Sequence, residues 1–587
     1  MVKNVLIIFR KYGFFIGIYV VFKLVCYKLS KAKSNEIIND IPGEVFTVKG
    51  LSLFSEIYKG DVKNDGERIR SGQRKTLDYE GGNEDACKDI KVTWELKRGL
   101  DLPVDALYAG LYEKATSYIF DTERMSHVFE RTCAMEVAIC AINYVEACKI
   151  LNTYEITYNR HDTANFLKNC CQYILQHLEK QIVFSNNHYF FNLLGLLWVL
   201  ESCTEDQILN KLKNSVYDEL KEFLNTALLK DGALYEGSTH YHKYITESLI
   251  LFMFLNEKAE KYNFLIDAAK RMNCFCRYAS FENRLIGIGD NDSGRVLPLP
   301  EYFIYDSRDC SFVWNIAKRL NLEPVENEIQ SNIALLQSSD TPSFGLFKPE
   351  NDLWQVSVRC DALADGFLKK FMGTHFHNDQ LSITAKYKGK EIIVDTGVYS
   401  YISEGKARLD NMKTSSHSTL SVEGEEQNEI SNDWNYEERK AVGKVHFYEP
   451  KVFMGRHDGY KNALHVRSVK VEDSLYVKDS LILKKHTKGK QVKIYYHIHP
   501  DIQVEVKDYG VIFLYCGDFT LYMHTKAQVN LVASRYCPEY GMRIPATAVV
   551  LTINSGYGKK GEDCINGLGE VRIFELERND DFNTAKE

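Results

Sequence analysis

QVEVKDYGVIFLYCGDFTLYMHT, residues 503–525, switches between apolar and polar side chains in short runs broken at Gly510 and Gly517. Side-chain direction repeats every second residue on a strand, so this texture predicts half-buried strands joined by tight turns. The same pattern occurs in LWQVSVRC (353–360), LSITAKYKGKEIIVDTG (381–397), DSLYVKDSLILK (473–484) and VKIYYHIHP (492–500). Many such runs in one stretch of chain predict stacked antiparallel sheets. Upstream the period changes. CAMEVAICAINYVEACKIL (133–151), FNLLGLLWVLES (191–202) and ITESLILFMFLNEKAEKY (245–262) are apolar over a broad helical face,. Successive helices of this length with short polar joints predict helical hairpins packed side by side. The change of texture falls near 325–345. The expected organisation is an N-terminal apolar segment and linker over 1–60, a helical domain over 61–335 and a sheet domain over 336–587.

A chain of 587 residues is too long for one ordinary core, and 45% apolar with 26% charged residues fits a globular protein,. The formal net charge of −7 argues against a general nucleic-acid binder, while leaving room for a local basic cleft,. Tyrosine is abundant at 36. Rings bearing a hydroxyl suit sugar clefts, although half-buried packing accounts for most of them. The fifteen cysteines show no Cys-x-x-Cys spacing and read as buried free thiols, which favours a reducing compartment,. At the N-terminus FFIGIYVVF (14–22) follows Lys3, Arg10 and Lys11, but Lys23 interrupts it and no small-residue cleavage site follows,. An amphipathic helix packed on the body, or an interfacial anchor with peripheral membrane contact, is the economical reading.

Four places carry candidate chemistry. GTHFHND (373–379) puts His375 and His377 two apart on extended chain, so both point one way, with Asp395 in IIVDTG and His417 in TSSHST within chain reach,. Such a set could hold a metal, move protons, or be unrelated hydrogen-bonded residues. SNNHYF (185–190) places Asn187 and His188 at a helix start, where an amide can cap or face a cleft. DGALYEGSTHYHKY (231–244) is dense in polar and aromatic groups, with Glu236, His240, Tyr241 and His242. IGDNDSGRV (288–296) imitates a calcium loop, but Gly294 stands where a ligand belongs and the sixth-position glycine is missing,. It reads as a turn.

Taken together, IKVTWELKRG (90–99), CAMEVAICAIN (133–143), NNHYFFNLLGLL (186–197), DGALYEGSTHYH (231–242), IGDNDSGRV, GTHFHNDQLS (373–382), IIVDTGVYSY (392–401) and SSHSTLSVEGEEQ (415–427) make the chain resemble heparinase II/III-type polysaccharide lyases of bacteria, particularly those of extracellular-polysaccharide clusters. The resemblance implies an (α/α) toroid followed by an antiparallel β-sandwich, with a cleft between them. It also implies β-elimination of a uronate-bearing, anionic polysaccharide. Residue by residue, it implies that Asn187 neutralises the substrate carboxylate with His188 beside it, that Tyr241 and His375 are catalytic, and that Tyr401 lines the site. Glu236 matches a supporting position. His377, Asp395 and His417 match the ligands of a structural zinc ion, and no organic cofactor is implied. Ser418 stands where the family usually has Asn. The resemblance points to the cell envelope or periplasm, whereas the cysteines and missing cleavage site point to the cytoplasm.

These residue types suit elimination. The C5 proton of a uronate is weakly acidic because its loss adds charge beside a carboxylate, so a donor such as Asn187 and a cation such as protonated His375 make the charge tolerable. A tyrosine can act as base and then acid if its phenolate is stabilised, for which His240 and His242 are the neighbours in sequence. Two rivals remain: a metal-dependent glycan hydrolase using the same histidines, and a non-catalytic glycan-binding or assembly protein on the same fold.

Overall fold

The computed structural model describes residues 41–54, 97–114, 125–181, 185–256, 263–298, 307–323, 343–361, 375–401, 407–430, 440–461, 463–483, 491–508, 510–554 and 564–575, with isolated positions between. The apolar run at 14–22 lies outside the described residues. No helix among the described residues is long and apolar enough to cross a membrane.

The helical half contains α1 (Asp101–Tyr112), α2 (Ala134–Thr153), α3 (Arg160–Gln176), α4 (Asn187–Ser202), α5 (Gln207–Ala227), α6 (Thr239–Leu255), α7 (Asn263–Tyr278) and α8 (Ser311–Arg319). Two kinds of helix alternate. In α2 every residue from Ala134 to Leu151 is buried, and α4 buries all its residues except His188. In α5 only Leu209, Leu212, Val216, Tyr217, Leu220, Phe223, Leu224 and Ala227 are buried, the spacing of a single apolar stripe,. Helices apolar all round must lie inside, so α2, α4 and α6 form an inner row, each packed on the next, while α3, α5 and α7 cover them,. Gly195 permits the α2–α4 contact, since a Cβ there would lie 2.6 Å from that of Ala138. This inner and outer pairing is the expected toroid.

Among the described residues the strands build two eight-stranded antiparallel sheets and two small two-stranded ones. The first runs Gln528–Tyr536, Ile544–Asn554, Gln491–Ile498, Lys390–Ile393, Ile383–Tyr387, Trp354–Arg359 and Leu346–Phe347, with Leu420–Val422 also beside Gln491–Ile498. The second runs Gly443–Glu449, Val452–His457, Ala463–Val471, Leu475–Leu483, Cys564–Glu575, Thr520–Thr525, Val511–Tyr515 and Gln503–Asp508. Period-two burial is plain in Ala463–Val471, where Ala463, His465, Arg467, Val469 and Val471 face inward,. His465 and Arg467 are tolerated there because both donate to the Asp479 carboxylate, His465 at 2.6 Å and Arg467 at 2.8 and 2.9 Å,.

The first sheet carries the contacts to the helices. Asp231 accepts from the Phe344 N–H at 2.7 Å, and the Tyr278 hydroxyl donates to the Leu346 carbonyl at 2.9 Å. Arg308 forms a two-pronged pair with Glu391 at 2.8 and 2.9 Å. One hydrophobic core runs through both halves. Twelve cysteines have described side chains; none of them is in a disulfide, and all but Cys133 are buried.

Candidate active site

Where the halves meet, the site is assembled from helix starts on one side and loops on the other. Asn187 is the first residue of α4, and Tyr241 lies in the first turn of α6, whose N-cap Ser238 accepts from the Tyr241 N–H at 3.2 Å,. The Ser238 hydroxyl donates in turn to the Asp290 carbonyl at 2.6 Å, tying the helix start to the 288–296 loop. His375 and His377 come from the loop between Trp354–Arg359 and Ile383–Tyr387. Asp290 receives them. Its N–H donates to the His375 carbonyl at 3.1 Å, His375 Nδ1 lies 3.0 Å from Oδ2, and His377 Nε2 lies 3.0 Å from Oδ1. Arg408, on α9 (Ala407–Met412), adds two contacts to Oδ2 at 3.0 and 2.7 Å. Only glycine fits before this aspartate: Gly289 has φ +72°, and a Cβ would come within 2.5 Å of the His375 carbonyl,.

The charges follow from these contacts. Burial would raise the Asp290 carboxyl, but the Arg408 guanidinium and then the two imidazoles hold it well below the usual carboxylate range,. Burial would lower His375, yet Asp290 and Glu236 raise it. A protonated His375 donates from Nε2 toward Glu236 Oε2 at 3.3 Å, where Asn187 Nδ2 also donates at 2.8 Å. Glu236 therefore holds both groups together, and Asn187 Nδ2 also lies 3.3 Å from His375 Nε2,. The Tyr241 ring stacks on His375 at 3.6 Å and 15°, and its hydroxyl lies 3.0 Å from that of Tyr401. Burial, then Asp292 and Asp290, raises the Tyr241 phenol well above its ordinary value, so it rests protonated.

Several expectations need correcting. His188, although adjacent to Asn187, turns away: its Nδ1 pairs with Glu179 Oε1 at 2.8 Å. Successive residues on a helix point about 100° apart, so neighbours in sequence need not share a site. His242 does not support the Tyr241 phenolate. It is fully buried, accepts from the Leu234 N–H at 3.2 Å and reaches the Met272 carbonyl at 2.9 Å. His240 faces a separate cavity with Arg284, Arg308, Lys386 and Glu391, and burial there lowers its imidazole to about 3. The groups that do attend Tyr241 are His375 and Tyr401. Asp290 and Arg408, the hub and its cation, are functional neighbours that the sequence expectations lack. The one available signal was IGDNDSGRV, whose Asn291 and Asp292 do make local turns to the Ser293 and Gly294 N–H groups, at 2.8 Å each.

The residues matched to zinc ligands lie behind His375. The His377 and His417 rings are 5.2 Å apart, and His377 Nδ1 and His417 Nε2 are both buried without a hydrogen-bond partner. Two such nitrogens fit a shared cation. Asp395 instead accepts from His417 Nδ1 at 2.7 Å, the contact that fixes a ligating histidine's tautomer,.

Known proteins share this fold. Residues 334–568 match the model of the family described as heparinase II/III-like, C-terminal. Solved structures share the whole architecture at low identity. Heparinase III aligns with a TM-score of 0.65 at 12% identity, over 93% of this chain and 89% of that one. Heparan sulfate lyase HepC from Pedobacter heparinus aligns at 0.56 and 13%, over 94% and 89%. A further heparinase III gene product aligns at 0.57 and 15%, over 90% and 86%. No curated protein sequence matches the chain. The protein is a two-part toroid and sandwich whose halves bring imidazole, phenol and amide groups together. Its sandwich half is similar to the heparinase II/III-like C-terminal family, and its overall fold to that of the heparinase structures.

Proposed function

We propose that the protein is a polysaccharide lyase that cleaves a uronate-bearing glycan by β-elimination. The observation that carries this is the convergence of Asn187, Tyr241 and His375 from both halves on one spot, with Tyr401 beside the phenol. The substrate carboxylate is taken by the Asn187 amide and protonated His375, which stabilise the charge that develops when the C5 proton leaves. Tyr241 first gives up its own proton to solvent; as phenolate it then removes the C5 proton, and the electron pair forms the C4–C5 double bond as the C4–O bond breaks. The same hydroxyl then returns the proton to the departing oxygen. The cation stacked on its ring and the Tyr401 hydroxyl are the groups that stabilise the phenolate; the protonated resting state suits the acid step. Heparan sulfate, the substrate named for a structural relative, is the first uronate polymer to test.

We further propose that zinc is structural here, held by His377 and His417 with Asp395 orienting the latter, and that it braces the loop carrying His375. No step of the elimination uses it. The test is to incubate the purified protein with a panel of uronate polymers, following near-ultraviolet absorbance and product mass. Unsaturated products without added water support the proposal. Products heavier by one water would mean hydrolysis, and tight binding without any product would mean a non-catalytic glycan binder.

A further inference from the structure

The side chain that turned away from the cleft has company. Among the described residues, Cys133, Glu179 and His188 are the group of three potential ligands whose donor atoms all lie within 4.8 Å of one another. They come from three places on the chain. Cys133 is the N-cap of α2, Glu179 follows α3, and His188 is in the first turn of α4.

We propose that Cys133, Glu179 and His188 form a second metal site, for a borderline-soft divalent cation such as Zn2+. The donor set is one thiolate, one carboxylate and one imidazole, which suits zinc and leaves a fourth position for water. A tetrahedral shell needs its donors roughly 3.5 Å apart. Closing from the present spread takes only side-chain rotation, and both His188 and Glu179 have room for it, with side chains 35% and 25% exposed. The carboxylate is already aimed. Its second oxygen accepts from the Met135 N–H at 2.9 Å and the Asn192 amide at 3.1 Å, while Asn192 Oδ1 accepts from the Glu179 N–H at 2.8 Å. Outer-shell bonds of this kind hold a ligand's orientation before the metal arrives. Access also singles out the thiol, because Cys133 is the one cysteine not buried among those whose side chains are described. An ion pair between Glu179 and His188 accounts for two of these residues; it leaves unexplained why the accessible thiol is the third. Occupancy would pin the first turn of α4, next to Asn187.

Thiolate ligation separates this site from the one at His377 and His417, which contains no sulfur. Cobalt(II) added to the full-length protein should give a near-ultraviolet thiolate-to-metal charge-transfer band. Cys133→Ser should abolish the band and lower the metal content by one ion, whereas His417→Ala should keep the band. Serine is itself a good N-cap, so Cys133→Ser should fold. With Cys133 intact, Glu179→Gln should weaken cobalt binding about tenfold or more. In the wild-type protein, Zn2+ should slow alkylation of Cys133 by about tenfold, read by peptide mass spectrometry. A missing band, a band that survives Cys133→Ser, or alkylation indifferent to Zn2+ would each overturn the proposal.

Discussion

Asn187 and Tyr241 each occupy the first turn of a helix, whereas His375 and Tyr401 ride on loops between strands. The helical half places its groups by capping and by burial of whole helices. The sandwich half places its groups by charge. Asp290 joins the two strategies: it is an anion from the helical half that fixes two histidines and an arginine from the other. Precise geometry at a loop is therefore obtained from a buried counter-ion rather than from backbone regularity.

The strongest way to break this comparison is at the phenol. Tyr241→Phe keeps the ring stacked on His375 and removes only the hydroxyl, so turnover should fall on the order of 10³-fold with little change in melting temperature; steady-state product absorbance measures it. Asp290→Asn attacks the sandwich side. It leaves Arg408 and His375 short of their anion, and urea unfolding should show a loss of about 3–5 kcal/mol. A variant as stable as wild type would mean the loops are held by other means. The Arg308–Glu391 pair tests the seam away from the site. Burial would raise Glu391, but Arg308 lowers it from 4.5 to about 2. Its contribution is thus present above pH 4.5 and lost as pH falls toward 2. Glu391→Gln should flatten that acid limb by about 2–3 kcal/mol in stability measured against pH. The smallest effect belongs to the helical side. Ser238→Ala removes the cap of α6 and should cost about 1 kcal/mol, with a turnover loss beyond that expected from stability because Tyr241 is in the same turn.

Much of the fold was legible because its two periods differ: fully apolar helices against alternating strands change texture over 20 residues near 335. The site was legible only in part. Tyr241, Asn187, His375 and Tyr401 stand in distinctive polar clusters, and the structure brings them together. Asp290 was hidden because a single aspartate among Asn, Asp and Gly looks like turn chemistry, and its partners lie 85, 87 and 118 residues away. His188 and His242 misled for the opposite reason. Each adjoins a site residue in sequence, yet the helix turns each one to a different face.

Asp290 has one more consequence. It is held by its backbone to His375 and by its side chain to three residues of the sandwich half. Separating the halves would strand a bare carboxylate on one piece and uncompensated cations on the other. For the same reason, a cut near residue 335 would yield two fragments that each lack the counter-charge needed to stand alone.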